Sequence, residues 1–388
     1  HRVTGVQTCA LPILGVEKMK KKISVLLIAV MALSLVLAGC GGDKGTADGG
    51  MDKVKAGFIY IGAANDGGYS QVHDEGRMEA INALGEDKVE TVVSESVPED
   101  QTVESVMNDM IDQGCNIIFA NSYNYMQYVE KVAKDNPDVK FMHFSGNILG
   151  DNYGNYFGRM YQPRYLSGIV AGMTTKNNKI GYVAAYPTPE VIRGINAFTL
   201  GVRSANPEAN VYVMWTNTWY DPAVEKQAAE ALLDSQGVDT ICQHQDTTAA
   251  QQAAAEHGAY SVGYNKDMSQ ANEEGFLVSA VWHLGAFYTD QLQQVLDGTW
   301  EPTSYWGGIA DGVVGLSDYG KAVSQEAKDA VAAAEKKITS GEWDVFTGPI
   351  YDQDGNLKVE EGQKLTDEEM LSMMWFVDGV IGEIPSGN

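Results

Sequence analysis

Aromatic, amide and carboxylate side chains gather at a few turn-like points of this chain, where they could hold a small ligand. The segment GAANDGGYSQ (62–71) sets Asn65, Asp66, Gly67, Gly68 and Tyr69 in a flexible turn ahead of a helix, offering backbone N–H groups, one carboxylate and one aromatic face. TNTWYDP (216–222) carries Trp219 and Tyr220 just before a proline-initiated helix, and an indole on an exposed loop needs a partner. Asp246 lies in QHQDTTAAQQ (243–252), Asn265 and Asp267 in GYNKDM (263–268), Ser122 and Tyr123 in NSYNY (121–125), and Ser145 in FSGN (144–147). Rings that sandwich a flat solute, with Asp and Asn along its edge, suit a neutral hydrogen-bonding heterocycle, each face contact adding roughly 0.5–1.5 kcal/mol beyond area burial. A purine fits this set better than a sugar phosphate, which would need Lys or Arg.

Catalysis has less support. Asp66 and Asp246 facing a purine could activate water, as in a nucleoside hydrolase, but GxSxG, HExxH and P-loop patterns are absent. His244 and His257 are isolated, and His73 reads as a solvated or capping residue. Four cysteines form no CxxC pair, so neither a zinc site nor a disulfide scaffold is expected, and the reading calls for no cofactor.

These loops need a frame, and the frame is legible from Lys53 onward. Short β-branched runs alternate with amphipathic stretches, the pattern of doubly wound α/β lobes with parallel sheets. Strands are expected at 54–61, 116–120 and 139–145, with helices at 70–84 and 124–135; the pattern restarts with a helix at 165–174 and runs to a strand at 260–264. Two Rossmann-like lobes follow, 53–160 and 161–279, each completed by parts of 280–388, with a hinged cleft at the carboxyl ends of the strands. IYDQDGNLKV (350–359) is expected to be a hairpin turning at Asp354-Gly355; its glycine is misplaced for a calcium loop. Cys115 and Cys242 read as small buried residues in separate lobes.

The amino-terminal part has a different character. From Met19, three lysines precede the apolar run 23–39, the order of a secretory signal peptide. It ends at Leu37-Ala38-Gly39-Cys40, which resembles a bacterial lipobox, so Cys40 is expected to carry lipid and to begin the mature chain. The glycine- and aspartate-rich stretch after it makes 40–52 a flexible tether. Residues 1–18 read as a non-native extension. The 388 residues hold 27 Lys+Arg against 52 Asp+Glu, a net charge of −25, which disfavours nucleic acid and polyanionic ligands.

Residues 65–77 (NDGGYSQVHDEGR), 165–176 (YLSGIVAGMTTK), 189–207 (PEVIRGINAFTLGVRSANP), 215–222 (WTNTWYDP) and DYGKAV near Asp318 together make the chain resemble the basic membrane protein family of ABC-transporter substrate-binding lipoproteins. The resemblance runs from Val54 to Pro385. It implies the fold of type I periplasmic binding proteins, a purine base or nucleoside as ligand, ABC permease subunits as partners, and a lipid-anchored place on the extracytoplasmic face of the cell membrane. A monomer is expected; a sensor feeding a signalling receptor is the alternative role. By resemblance, Tyr69 and Trp219 match stacking positions and Asp66, Asp246 and Asp267 polar ones. Where nucleoside binders often carry a ribose-holding lysine, near VSAVWHLG, this chain has Trp282 and His283. The indole is expected to fill the sugar's space and so to favour a free base (adenine, guanine or hypoxanthine).

Overall fold

Strand β1 (Val54–Ile59) shows why the alternating pattern gives sheets covered on both sides. Its even positions, Val54, Ala56 and Phe58, enter one core, while Ile59 enters another on the opposite face. A strand buried on both faces reads as a near-continuous apolar run. In a computed structural model, which describes residues 50–385, β1 pairs in parallel with β2 (Val89–Ser94) and with β3 (Ile117–Ala120). With β4 (Lys140–Phe144) and β5 (Tyr153–Gly158) the sheet continues in the same direction. The second sheet is built on β6 (Lys179–Ala184), β7 (Asn210–Trp215), β8 (Thr240–His244), β9 (Tyr260–Asn265) and β10 (Phe276–Trp282), again all parallel. Late strands finish both sheets. β11 (Ser304–Gly307) joins the first in the order β11-β5-β4-β3-β1-β2, and β12 (Val314–Leu316) joins the second antiparallel to β10.

Helices cover both faces of each sheet, so the fold is α/β with two three-layer lobes. On the first sheet, Tyr69–Leu84 and Gly285–Asp297 share a core with Phe58 and Phe119, and Thr102–Asp112 and Met126–Asp135 close the other face. On the second, Tyr161–Thr174, Pro189–Ala205 and Gln325–Thr339 lie on one face and Pro222–Ala231 and Ala249–Glu256 on the other. The chain passes between the lobes three times, at 158–161, 282–285 and 307–314. The helix expected from residue 165 starts four residues earlier, at Tyr161, because Pro163 falls in its first turn, where no backbone N–H is needed.

Two sequence motifs turn out to be packing motifs. In YLSGIVAG and GINAFTLG, the helices Tyr161–Thr174 and Pro189–Ala205 meet so closely that a Cβ on Gly168 would lie 2.1 Å from the Phe198 carbonyl oxygen, and one on Gly201 2.0 Å from that of Tyr165. Only glycine permits that approach.

The tail wraps the second lobe. β13 (Ile350–Tyr351) and β14 (Leu357–Val359) form an antiparallel hairpin with Gly355 at φ 79° near its tip, and β15 (Val380–Ile381) adds to the edge strand β7. Asn196 ties it down, its Nδ2 donating to the Trp375 carbonyl and its Oδ1 accepting from the Val377 N–H. Cys115 and Cys242 are buried free thiols, Cys242 lying inside β8. No described helix is long and apolar enough to cross a membrane. The extension 1–18, the signal peptide, Cys40 and most of the tether lie outside the described residues.

Candidate functional site

The carboxyl ends of the two parallel sheets face each other, and the loops leaving them meet. From the first lobe come Ile61, Tyr69, Ser122, Tyr123 and Ser145, and from the second Glu190, Trp219, His244, Asp246 and Tyr264; together they line one cavity. The lobes are closed on each other. Gly68 sits so near the second lobe that a Cβ there would be 2.2 Å from the Asp246 carbonyl oxygen, and Ser145 Oγ donates across the cleft to Glu190 Oε2 at 2.7 Å. The cavity left is about 20 Å³, room for about one water, so a ring enters only if the lobes part.

Tyr69 is held by its hydroxyl, which donates to the Asn121 carbonyl, and by edge contacts to His73 and Phe144. Trp219 lies 5.2 Å from the Tyr186 ring, and its backbone carbonyl accepts from the Asp246 N–H. Its indole N–H is buried without a partner, as are Asn121 Nδ2 and His244 Nδ1. Buried polar atoms left unpaired cost free energy and call for an explanation.

The electrostatics are dominated by carboxyls. Burial raises the Asp246 carboxyl well above its ordinary range, and the charges of Asp66, Glu225 and Glu190 raise it further. Glu190 is the opposite case. Burial pushes it up, but the hydrogen bond and charge of His244 and the Ser145 hydroxyl bring it below its ordinary value. His244 Nε2 is 3.5 Å from Glu190, and burial lowers this imidazole to about 4, leaving it neutral at pH 7. The cavity thus presents one ionised acceptor and several neutral donors.

Of the residues expected from sequence, the structure brings Tyr69, Ser122, Tyr123, Ser145, Trp219 and Asp246 to the cavity and leaves the others outside it. Asp66 starts the helix Tyr69–Leu84, accepting from the backbone N–H groups of Gly68, Ser70 and Gln71. Gly68 serves by its smallness. Asn65 is exposed, and so is Asp267, whose Oδ1 accepts from Ser269 N in a turn. Asn265 is buried, donating to the Gln245 carbonyl and accepting from the Trp282 indole. Trp282 does not fill ligand space: it is 3 % exposed and packs between Phe144 and Phe157 at 5.0 and 5.1 Å. His73 is fully buried rather than solvated, its Nδ1 2.6 Å from the Tyr288 hydroxyl, and desolvation lowers it to about 3. Sequence reasoning missed Ile61, Glu190, His244 and Tyr264. The signal for Glu190 was available, since it opens the helix after β6 as Tyr69 opens the helix after β1. Among the described residues no group of three His, Cys, Asp or Glu is placed to hold a metal ion.

Compared with known proteins, residues 53–347 match a family model, Bmp, described as ABC transporter substrate-binding protein PnrA-like. The chain is 41 % identical over 350 residues to a putative ABC transporter glucose-binding protein of Haloferax volcanii, spanning 89 % of this chain and 86 % of the relative. It is also 41 % identical over 334 residues to a purine-binding protein of Brucella abortus, covering 86 % and 95 %. Among solved structures, an ABC transporter solute-binding protein from Aeropyrum pernix superposes with a TM-score of 0.66 at 19 % identity, covering 77 % of this chain and 93 % of that one. One from Conexibacter woesei gives 0.62 at 24 %, covering 75 % and 98 %.

Proposed function

We propose that this chain, which belongs to the Bmp family of PnrA-like ABC transporter substrate-binding proteins, captures a purine base between its lobes and hands it to ABC permease subunits. The observation that carries this reading is the convergence of Tyr69 from one lobe and Trp219 from the other on one cavity lined by no Lys or Arg, with Asp246, its carboxyl raised by burial, and Glu190, its carboxyl lowered by His244 and Ser145, beside them. Two rings supply faces, and the carboxyls and hydroxyls meet hydrogen-bonding positions on a neutral heterocycle's edge. The purine-binding relative supports the same class of ligand. A hexose is the second reading, since a relative of equal identity is named as glucose-binding.

Isothermal titration of the folded domain against adenine, guanine, hypoxanthine, adenosine, inosine and glucose separates the two. A base is expected to bind with Kd below about 1 μM, that is, about −8 kcal/mol or better, with glucose showing no heat. Binding of glucose and of no purine sinks the purine reading.

The same proposal places a monomer on the extracytoplasmic face, tethered through lipid on Cys40, and involves no chemical change in the ligand. Cys40→Ala is expected to move the protein from the membrane fraction to the soluble fraction or to leave uncleaved precursor. A Cys40→Ala variant that mass spectrometry still finds carrying diacylglyceryl would refute the anchor.

A further inference from the structure

Behind the candidate site, inside the second lobe, lies a cavity of about 10 Å³ whose lining includes Arg164, Glu190, Gly194, His244 and Tyr264, room for about one water. Glu190, His244 and Tyr264 line the candidate site as well, so they form the wall between the two spaces. Four buried polar atoms on the far side of that wall have no hydrogen-bond partner among the described residues: Arg164 Nε and Nη2, Tyr182 Oη and His244 Nδ1. None of the three residues is more than 3 % exposed. Arg164 donates through Nη1 to the Gln243 carbonyl at 2.6 Å and lays its guanidinium 3.8 Å over the Tyr264 ring. A guanidinium keeps its charge at any ordinary pH, so two idle donors on it are costly in a dry interior.

The four atoms converge. A Cβ built on Gly194 would lie 3.5 Å from His244 Nδ1, 3.6 Å from Tyr182 Oη and 3.8 Å from Arg164 Nε. Side chains from the helix Tyr161–Thr174, from β6 and from β8 thus share one point, and Gly194, having only a hydrogen there, leaves room at it. The occupant's chemistry follows from His244. Its Nε2 faces Glu190 at 3.5 Å, so the neutral ring carries its proton on that side and offers a lone pair at Nδ1. An anion beside Arg164 would face that lone pair. A water satisfies every group: its two lone pairs accept from Nε and Nη2 of Arg164, and its two O–H groups donate to His244 Nδ1 and Tyr182 Oη.

We propose that one tightly held water occupies this cavity and, with Arg164 as the positioning residue, locks His244 in the tautomer that donates to Glu190, so that Glu190 stays an acceptor toward the ligand. The role toward the ligand rests on the purine reading; the water itself does not.

Two substitutions in the folded domain change sign with the water. Gly194→Ala adds a methyl that meets these polar atoms at ordinary contact distances, and alanine for glycine inside a helix ordinarily raises stability. Where the methyl displaces a water and strands four polar atoms, the thermal melt should instead fall by a few degrees. Tyr182→Phe keeps the test valid if the alanine variant fails to fold: deleting an idle hydroxyl raises the melt, and deleting a water-bound one lowers it. Imidazole 15N spectra, with His244 assigned through His244→Gln, should show the Nε2–H tautomer with a hydrogen-bonded Nδ1 in the wild type, and the Nδ1 bond lost in Gly194→Ala. Hypoxanthine should bind Gly194→Ala about tenfold more weakly than wild type. A melt that rises in either variant, an Nδ1–H tautomer, or bromide found in the cavity by anomalous scattering overturns the water. Unchanged hypoxanthine affinity in a Gly194→Ala variant that has lost the Nδ1 bond overturns the positioning role. A wild type that does not bind hypoxanthine overturns the purine reading and the role toward the ligand with it, while the water stands or falls on the melts and spectra.

Discussion

Trp219→Ala is expected to weaken purine binding by roughly 30- to 100-fold while leaving the thermal melt nearly unchanged. Trp219 is the aromatic face offered by the second lobe, half-buried on the loop between β7 and the helix Pro222–Ala231, with Tyr186 against one edge. Truncating a central aromatic anchor costs about 2–3 kcal/mol, of which stacking geometry supplies roughly 0.5–1.5 and area burial the rest, and each 1.4 kcal/mol is a factor of ten. The backbone bond from Asp246 N to the Trp219 carbonyl survives the substitution, so the loop stays in place. Trp219→Phe should recover most of the affinity. An alanine variant that binds within threefold of wild type would mean that the indole is a wall of the closed lobes and not a ligand face.

Glu225→Gln should make the protein more stable above neutral pH, by about 1–3 kcal/mol, and leave it unchanged near pH 4.5. The carboxyl is fully buried, Oε2 accepting from the Thr247 hydroxyl at 2.5 Å and Oε1 from the Asp221 N–H at 3.1 Å. Burial raises it from an ordinary 4.5 to about 7, opposed by those hydrogen bonds and assisted by the charge of Asp221. The native state therefore holds a proton that the unfolded chain releases at lower pH. Stability from this group is complete below about pH 4.5, declines as pH rises, and is gone above about pH 7. At 1.36 kcal/mol per pH unit the loss is bounded at about 3 kcal/mol. Glutamine has no proton to lose, so denaturant melts of the two proteins should diverge between pH 5 and 8, by about the bound above. Parallel stability curves across that window would show that Glu225 is not the titrating group. Because Glu225 joins the loop of Trp219 to that of Asp246, the same titration bears on the cavity.

The sequence by itself determined the class of fold and several of the loops that line the cavity. The near-continuous apolar runs of β1 and β3 and the strand–helix alternation specify parallel sheets covered on both sides, because only that arrangement buries such runs. Parallel strands put their carboxyl-terminal loops on one edge, so Tyr69, Ser122, Ser145, Trp219 and Asp246 were findable as loop residues. Tertiary structure decided which loop residues face ligand space. Asp66 and Asp267 are carboxylates in the right loops, yet the nearest unpaired backbone N–H groups take them, a competition settled over two to five residues of local geometry. Trp282 ends strand β10 and Trp219 follows strand β7, but the aromatic core of Phe144 and Phe157 closes over Trp282. Glu190 and His244 matter through each other and through Ser145, partners far apart in the chain. Contacts across a cleft depend on how two lobes meet, and no local pattern of residues encodes that distance.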